Sequence, residues 1–124
     1  MPDVPLFDNV IKAFTTPEFV SASSAYRAES LMRNMWYLYT DCGVNVRPKG
    51  TTYKHVIIGF KKAGMPLRAD ELLWEMEHKS VSKPSKEIIQ TVMNAWHDST
   101  HPEKQKHINT LRLVINDRFA KGKA

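Results

Sequence analysis

The stretch Gly50-Thr-Thr-Tyr-Lys-His-Val-Ile-Ile-Gly-Phe-Lys-Lys-Ala-Gly-Met-Pro-Leu-Arg-Ala-Asp-Glu-Leu-Leu-Trp-Glu-Met76 reads as two amphipathic helices joined by a tight break. Tyr53, Val56, Ile57 and Phe60 recur at helical spacing, while Lys54, His55, Lys61 and Lys62 fall on other faces. Lys61 and Lys62 suit the negative pole of the first helix, and Gly64 supplies the residue that ends it. Pro66 fits the first turn of the next helix, where its missing N–H is not needed. That helix carries Ala69, Leu72, Leu73 and Met76 inward. The β-branched run Val56-Ile57-Ile58 lies inside the longer helical period, so it is not read as a strand.

The same pattern continues on both sides. Ser23 and Ser24 are candidate N-caps for a helix holding Ala28, Leu31, Met32, Met35, Trp36 and Tyr39. Cys42-Gly43 through Pro48 breaks it. Downstream, Ser80 to Pro84 is a polar break, and Ser85 caps a helix with Ile88, Ile89, Val92, Met93 and Trp96. Ser99 to Pro102 stops it, and a last helix holds Ile108, Leu111, Val114, Ile115 and Phe119. The tail 120–124 reads as disordered. The expected fold is all-α, with helices of roughly 11–17 residues.

These helices come in similar pairs. Ala28-Glu-Ser-Leu-Met-Arg-Asn-Met35 parallels Ala69-Asp-Glu-Leu-Leu-Trp-Glu-Met76, and Tyr53 to Phe60 parallels Ile89-Gln-Thr-Val-Met-Asn-Ala-Trp96. A fainter copy is Phe7-Asp-Asn-Val-Ile-Lys-Ala-Phe14. One small helix pair cannot bury its own apolar stripe, so copies are expected to stack, each covering the next. Small residues at Ala28, Gly59, Ala69 and Ala95 allow close approach, and Phe14, Phe60 and Trp96 fill wider gaps. The expectation is a single α-solenoid over 1–119, with repeats at about 6–49, 50–85 and 86–119.

Composition narrows the function classes. An apolar fraction of 42% and a charged fraction of 25% are those of an ordinary globular chain. No apolar run approaches the roughly 20 residues that span a bilayer, so no membrane partner is expected. The single cysteine, Cys42, excludes an internal disulfide framework and fits a reducing compartment. The net charge of +5 suits a polyanionic partner, but only modestly. No export or transit signal is visible from Met1.

The segment from Arg47 to Gly64 resembles the first helix of a pentatricopeptide repeat, and Ala69 to Met76 with Lys83-Pro84-Ser85 resembles its second helix and closing turn. The resemblance runs from about Leu6 to Asp117 and is most specific between Arg47 and Trp96. The Trp/Leu-Gly/Tyr pattern of tetratricopeptide repeats is absent. Membership would imply an RNA-binding protein of mitochondrion or plastid, with first helices lining a groove for single-stranded RNA. It would also imply a role in RNA processing, stability or translation. In that family a first-turn residue of helix A and the last residue of the repeat read a base edge. On this chain those positions are Lys54 with Ser85, Asp8 with Lys49, and Gln90. The positions expected to pack on a base are Pro5, Thr51 and Glu87. Lys54 with Ser85 falls outside the family's pairing pattern of Asn, Ser or Thr with Asp, Asn or Ser, and Glu87 sets a carboxylate where a base would stack. Backbone gripping by Arg47, Lys49, Lys54, His55, Lys61 and Lys62 therefore fits better than a base code. The same lysines also read as an ordinary solvated face.

Two or three repeats make a short groove, so the abrupt start fits a fragment of a longer array, with a complete small protein as the other reading. A protein-interaction scaffold is the alternative use of the same stacked helices.

Other constellations point elsewhere than chemistry. His97 and His101 share a helical spacing, but Ser99, Thr100 and Pro102 interrupt it and no third ligand stands near in sequence. Cys42 lacks an oriented base and an oxyanion motif. Glu71, Glu75 and Glu77 read as a solvated face, Trp36 and Trp96 as core, and Trp74 as a cover for a neighbouring pair. No catalysis, cofactor or metal is expected.

Overall fold

A computed structural model describes residues 4–13, 21–79 and 81–119. Phe14, Ser80 and the tail 120–124 lie outside the described residues. The described chain is all-α, with six helices and no strand: α1 Val4–Ala13, α2 Ala22–Asp41, α3 Gly50–Lys62, α4 Pro66–His78, α5 Lys86–His97 and α6 Lys104–Phe119. No helix among these residues is long and apolar enough to cross a membrane.

Local chemistry sets most boundaries. The α2 cap is Ser21, earlier than Ser23 or Ser24, because Ser21 and Ser24 satisfy each other. The Ser24 backbone N–H donates to Ser21 Oγ at 3.2 Å, and the Ser21 N–H donates to Ser24 Oγ at 2.9 Å. At 20 residues α2 exceeds the expected length. It ends at Cys42, with Gly43 following at φ +69°.

The α3–α4 hairpin turns through a complete Schellman motif. Gly64 adopts φ +74°, its N–H donates to Lys61 O at 3.0 Å, and the Met65 N–H donates to Phe60 O at 2.9 Å. Pro66 then opens α4. Ser85 caps α5 by accepting from the Ile88 N–H at 3.2 Å.

Consecutive helices pack on one another throughout: α1 on α2, α2 on α3, α3 on α4, α4 on α5 and α5 on α6. The odd-numbered helices also touch in order, α1 to α3 and α3 to α5. One apolar cluster runs through all six. Tyr53, Val56, Ile57, Phe60, Ala69, Leu72, Leu73 and Met76, the inward set of the central pair, are all fully buried. Trp96 is fully buried too, whereas Trp36 and Trp74 are partly buried against the cluster. Tyr39 stays 39% exposed.

Candidate nucleic-acid interface

The contacts of α3 with α1 and α5 set the odd-numbered helices side by side. Asp8 on α1 accepts from Thr51 Oγ1 at 3.0 Å and from Thr52 Oγ1 at 2.7 Å. One turn further along α3, Lys54 Nζ lies 3.1 Å from Glu87 Oε1 on α5. Gln90 is exposed on the same side of α5, three residues past Glu87. Five residues singled out from the sequence thus occupy one row across three helices: Asp8, Thr51, Lys54, Glu87 and Gln90.

His55 is half-buried in this face. Burial lowers its pKa first of all; the Lys12 and Lys54 cations add to the shift, and Asp8 opposes it. The imidazole is therefore neutral at neutral pH.

The remaining candidates lie apart from this row. Ser85 spends its hydroxyl on the α5 cap. Lys49 occupies the N-cap position of α3, where its backbone N–H donates to Thr52 Oγ1 at 3.0 Å. Among the described residues no hydrogen bond or ion pair joins Lys54 to Ser85, or Asp8 to Lys49. Arg47, in the α2–α3 connection, donates to Lys79 O at 3.1 Å, sits 5.8 Å from the Trp36 ring centre, and lines one cleft with Pro5 and Lys49. Lys61 and Lys62 are in the last turn of α3, about two turns beyond Lys54. Pro5 is exposed in the first turn of α1.

Two polar clusters inside the helix stack were not foreseen. In the first, Glu29, 6% exposed, accepts from Arg33 Nη2 at 2.9 Å and from Arg68. Arg33 also donates to Glu75 Oε1 at 2.8 Å. The Tyr53 hydroxyl donates to Glu75 Oε2 at 2.6 Å and accepts from Trp36 Nε1 at 2.9 Å. Burial tends to raise the Glu75 carboxyl, but the hydrogen bonds from Arg33 and Tyr53 outweigh it and hold the pKa below the usual value. Burial, then the bond to Glu75, pushes the Tyr53 phenol well above its usual range.

In the second cluster Asp70, 8% exposed, accepts from Trp74 Nε1 and Trp96 Nε1, both at 2.8 Å. His107 stacks on Trp96 with ring centres 4.1 Å apart and planes 2° from parallel, its Nδ1 3.7 Å from Asp70. Glu75 is therefore not on a solvated face, since it is tied to α2 and α3. Glu77 accepts from Arg118 of α6 at 2.7 and 3.0 Å, so it too has a partner. Glu71 is exposed and pairs with Arg68 at 3.2 Å. The i, i+4 spacings Glu29/Arg33 and Asp70/Trp74 were visible in sequence; the cross-helix partners were not.

Neither a protein-family model, nor a curated protein, nor a solved structure matches the chain.

Proposed function

We propose that the chain is a short α-solenoid of stacked helix pairs, pentatricopeptide-like, that holds single-stranded RNA along the exposed face of α1, α3 and α5. The observation that carries this reading is the row of polar residues from the first two turns tied across helices, Asp8 to Thr51 and Lys54 to Glu87. Such a row repeats donors and acceptors along one direction, as a linear polymer requires. The cations Lys54, Lys61 and Lys62 of α3 supply attraction for phosphates. The expected binding is weak, because three helix pairs offer a short groove.

The test is fluorescence anisotropy of an unstructured RNA across a salt series. Wild-type affinity should fall with salt, and a triple Lys54→Glu, Lys61→Glu, Lys62→Glu variant should lose binding while keeping its helical circular dichroism. Absence of salt-dependent binding by the wild type sinks the reading.

A second reading, a protein-binding scaffold, is favoured by a different feature. A cleft of about 560 Å³ is lined by Tyr26, Met65, Pro66, Leu67 and Ala95, with Lys61 and Arg68 among its charged lining residues. Tyr26 and Leu67 are 47% and 49% exposed, so an apolar peptide could be seated there. Stoichiometric, nuclease-insensitive capture of one protein, lost on Leu67→Glu, would favour it.

A further inference from the structure

We propose that α6 is fastened to the stack by a pH-operated latch, in which the protonated His107 side chain closes on Asp70 and Trp96. Asp70 is an interior carboxylate, 8% exposed on α4, and its two oxygens accept from the Trp74 and Trp96 indoles. Neutral donors satisfy its lone pairs but leave its charge uncompensated, and a buried charge is costly without a counter-charge. Among the described residues no lysine or arginine is in ion-pair contact with Asp70. His107 stands there instead, with Nδ1 3.7 Å from Asp70 Oδ2.

At 3.7 Å the contact is too long for a hydrogen bond, so it stabilises the fold only when the imidazole is charged. The same proton strengthens the stack. His107 lies flat on Trp96, with ring centres 4.1 Å apart and planes 2° from parallel, the placement in which an imidazolium meets the negative face of an indole. The charged ring therefore has two partners and the neutral ring one. About a third of the His107 side chain is exposed, at 31%, so protons reach it from solvent.

The surrounding groups leave His107 as the titrating partner. Asp70 faces it from α4 and the Trp96 indole from α5. In the α5–α6 connection, the His101 ring centre is 6.3 Å away. His101 Nδ1 accepts the Glu103 N–H at 3.1 Å, a bond that requires this nitrogen unprotonated. On the first turn of α6, Lys104 donates to Ser99 O at 3.2 Å and Lys106 lies 3.8 Å from Glu103, so neither pairs with Asp70.

The helix that carries His107 has few other ties. Ile108 and Leu111 are buried where α6 packs on α5, and Arg118 fastens the far end of α6 to Glu77 of α4. The Arg118 hydrogen bond holds the Glu77 carboxyl below its usual value, so this second tie stays intact in mild acid. The first tie is closed in acid and released as pH rises through the ordinary histidine range near 6.5, loosening the start of α6 and baring the Trp96 face that His107 covers.

The experiment is amide hydrogen exchange of the full chain at about pH 5.5 and about pH 8, corrected for the intrinsic rate at each pH. Amides of the first turns of α6 should be roughly three- to tenfold better protected in acid, the scale of one cation–π contact, while those of α3 change little. His107→Phe keeps a flat ring on Trp96 without the charge and should abolish the difference; His101→Gln should retain it. Equal α6 protection at both pH values in the wild type overturns the latch. So does a pH dependence that survives His107→Phe or vanishes in His101→Gln, since another group then carries it. An equal change in α3 and α6 marks a global effect and overturns it as well.

Discussion

Asp70 satisfies two indoles at once, Trp74 through Oδ1 and Trp96 through Oδ2, from a position 8% exposed on α4. Removing it orphans both N–H groups. Asp70→Ala should cost about 2–4 kcal/mol, at roughly 1–3 per orphaned donor with Trp74 discounted for its partial exposure. Asp70→Asn keeps one acceptor and should cost about half of that. Urea unfolding followed by tryptophan fluorescence would measure both, and equal midpoints for Asp70→Ala and wild type would contradict the assignment. Glu75 gives a pH signature. Its folded pKa is depressed, so protonation favours the unfolded chain. Its contribution is complete above the ordinary glutamate value of about 4.3 and is lost as pH falls through the lower folded value. The gap in urea midpoint between wild type and Glu75→Gln should therefore narrow in acid; a gap constant from pH 7 to pH 3 would contradict it. Neither residue declared its role in sequence. Glu75 stands between Glu71 and Glu77 and reads like them, because Arg33 and Tyr53 reach it from α2 and α3. Only the tertiary arrangement distinguishes the three.

The helices themselves were far more legible, because their stop and start signals are local. Gly64 was readable as the end of α3 and Pro66 as the start of α4, and both signals rest on backbone chemistry within a few residues. Ser85 was readable as a cap for the same reason. The α2 start slipped because three serines compete, and only Ser21 has its capping-box partner, Ser24, three residues on. The conformational requirement at Gly64 is testable. With φ at +74°, a Cβ meets no heavy atom within 4 Å there, so the cost of Gly64→Ala is backbone strain alone. It should be about 1–2 kcal/mol, the penalty of a left-handed L-residue. Ser85→Ala should cost about 1 kcal/mol through loss of the cap. Thermal unfolding of the two variants would measure both; an unchanged midpoint in Gly64→Ala would contradict the turn assigned to the α3–α4 hairpin.

Across the molecule, the burial pattern followed from periodicity, whereas the order of helices on the candidate face did not. The inward residues of α3 and α4 are all fully buried, as their spacing requires. The alignment of Asp8, Thr51, Lys54 and Glu87 depends on how α1, α3 and α5 pack, which no single helix encodes. The family resemblance suggested which helices should line a groove, but it paired Lys54 with Ser85, and Ser85 is used by its own helix cap. A face built from alternate helices makes a spatial claim about the whole fold: ligand contacts should skip α2, α4 and α6. Amide chemical-shift mapping with an unstructured RNA 11-mer tests this most directly. The account predicts shifts concentrated on α1, α3 and α5, centred on Thr51, Lys54 and Glu87, with the even-numbered helices little changed. Shifts confined to the Tyr26–Leu67 cleft, or none at saturating RNA, would contradict it.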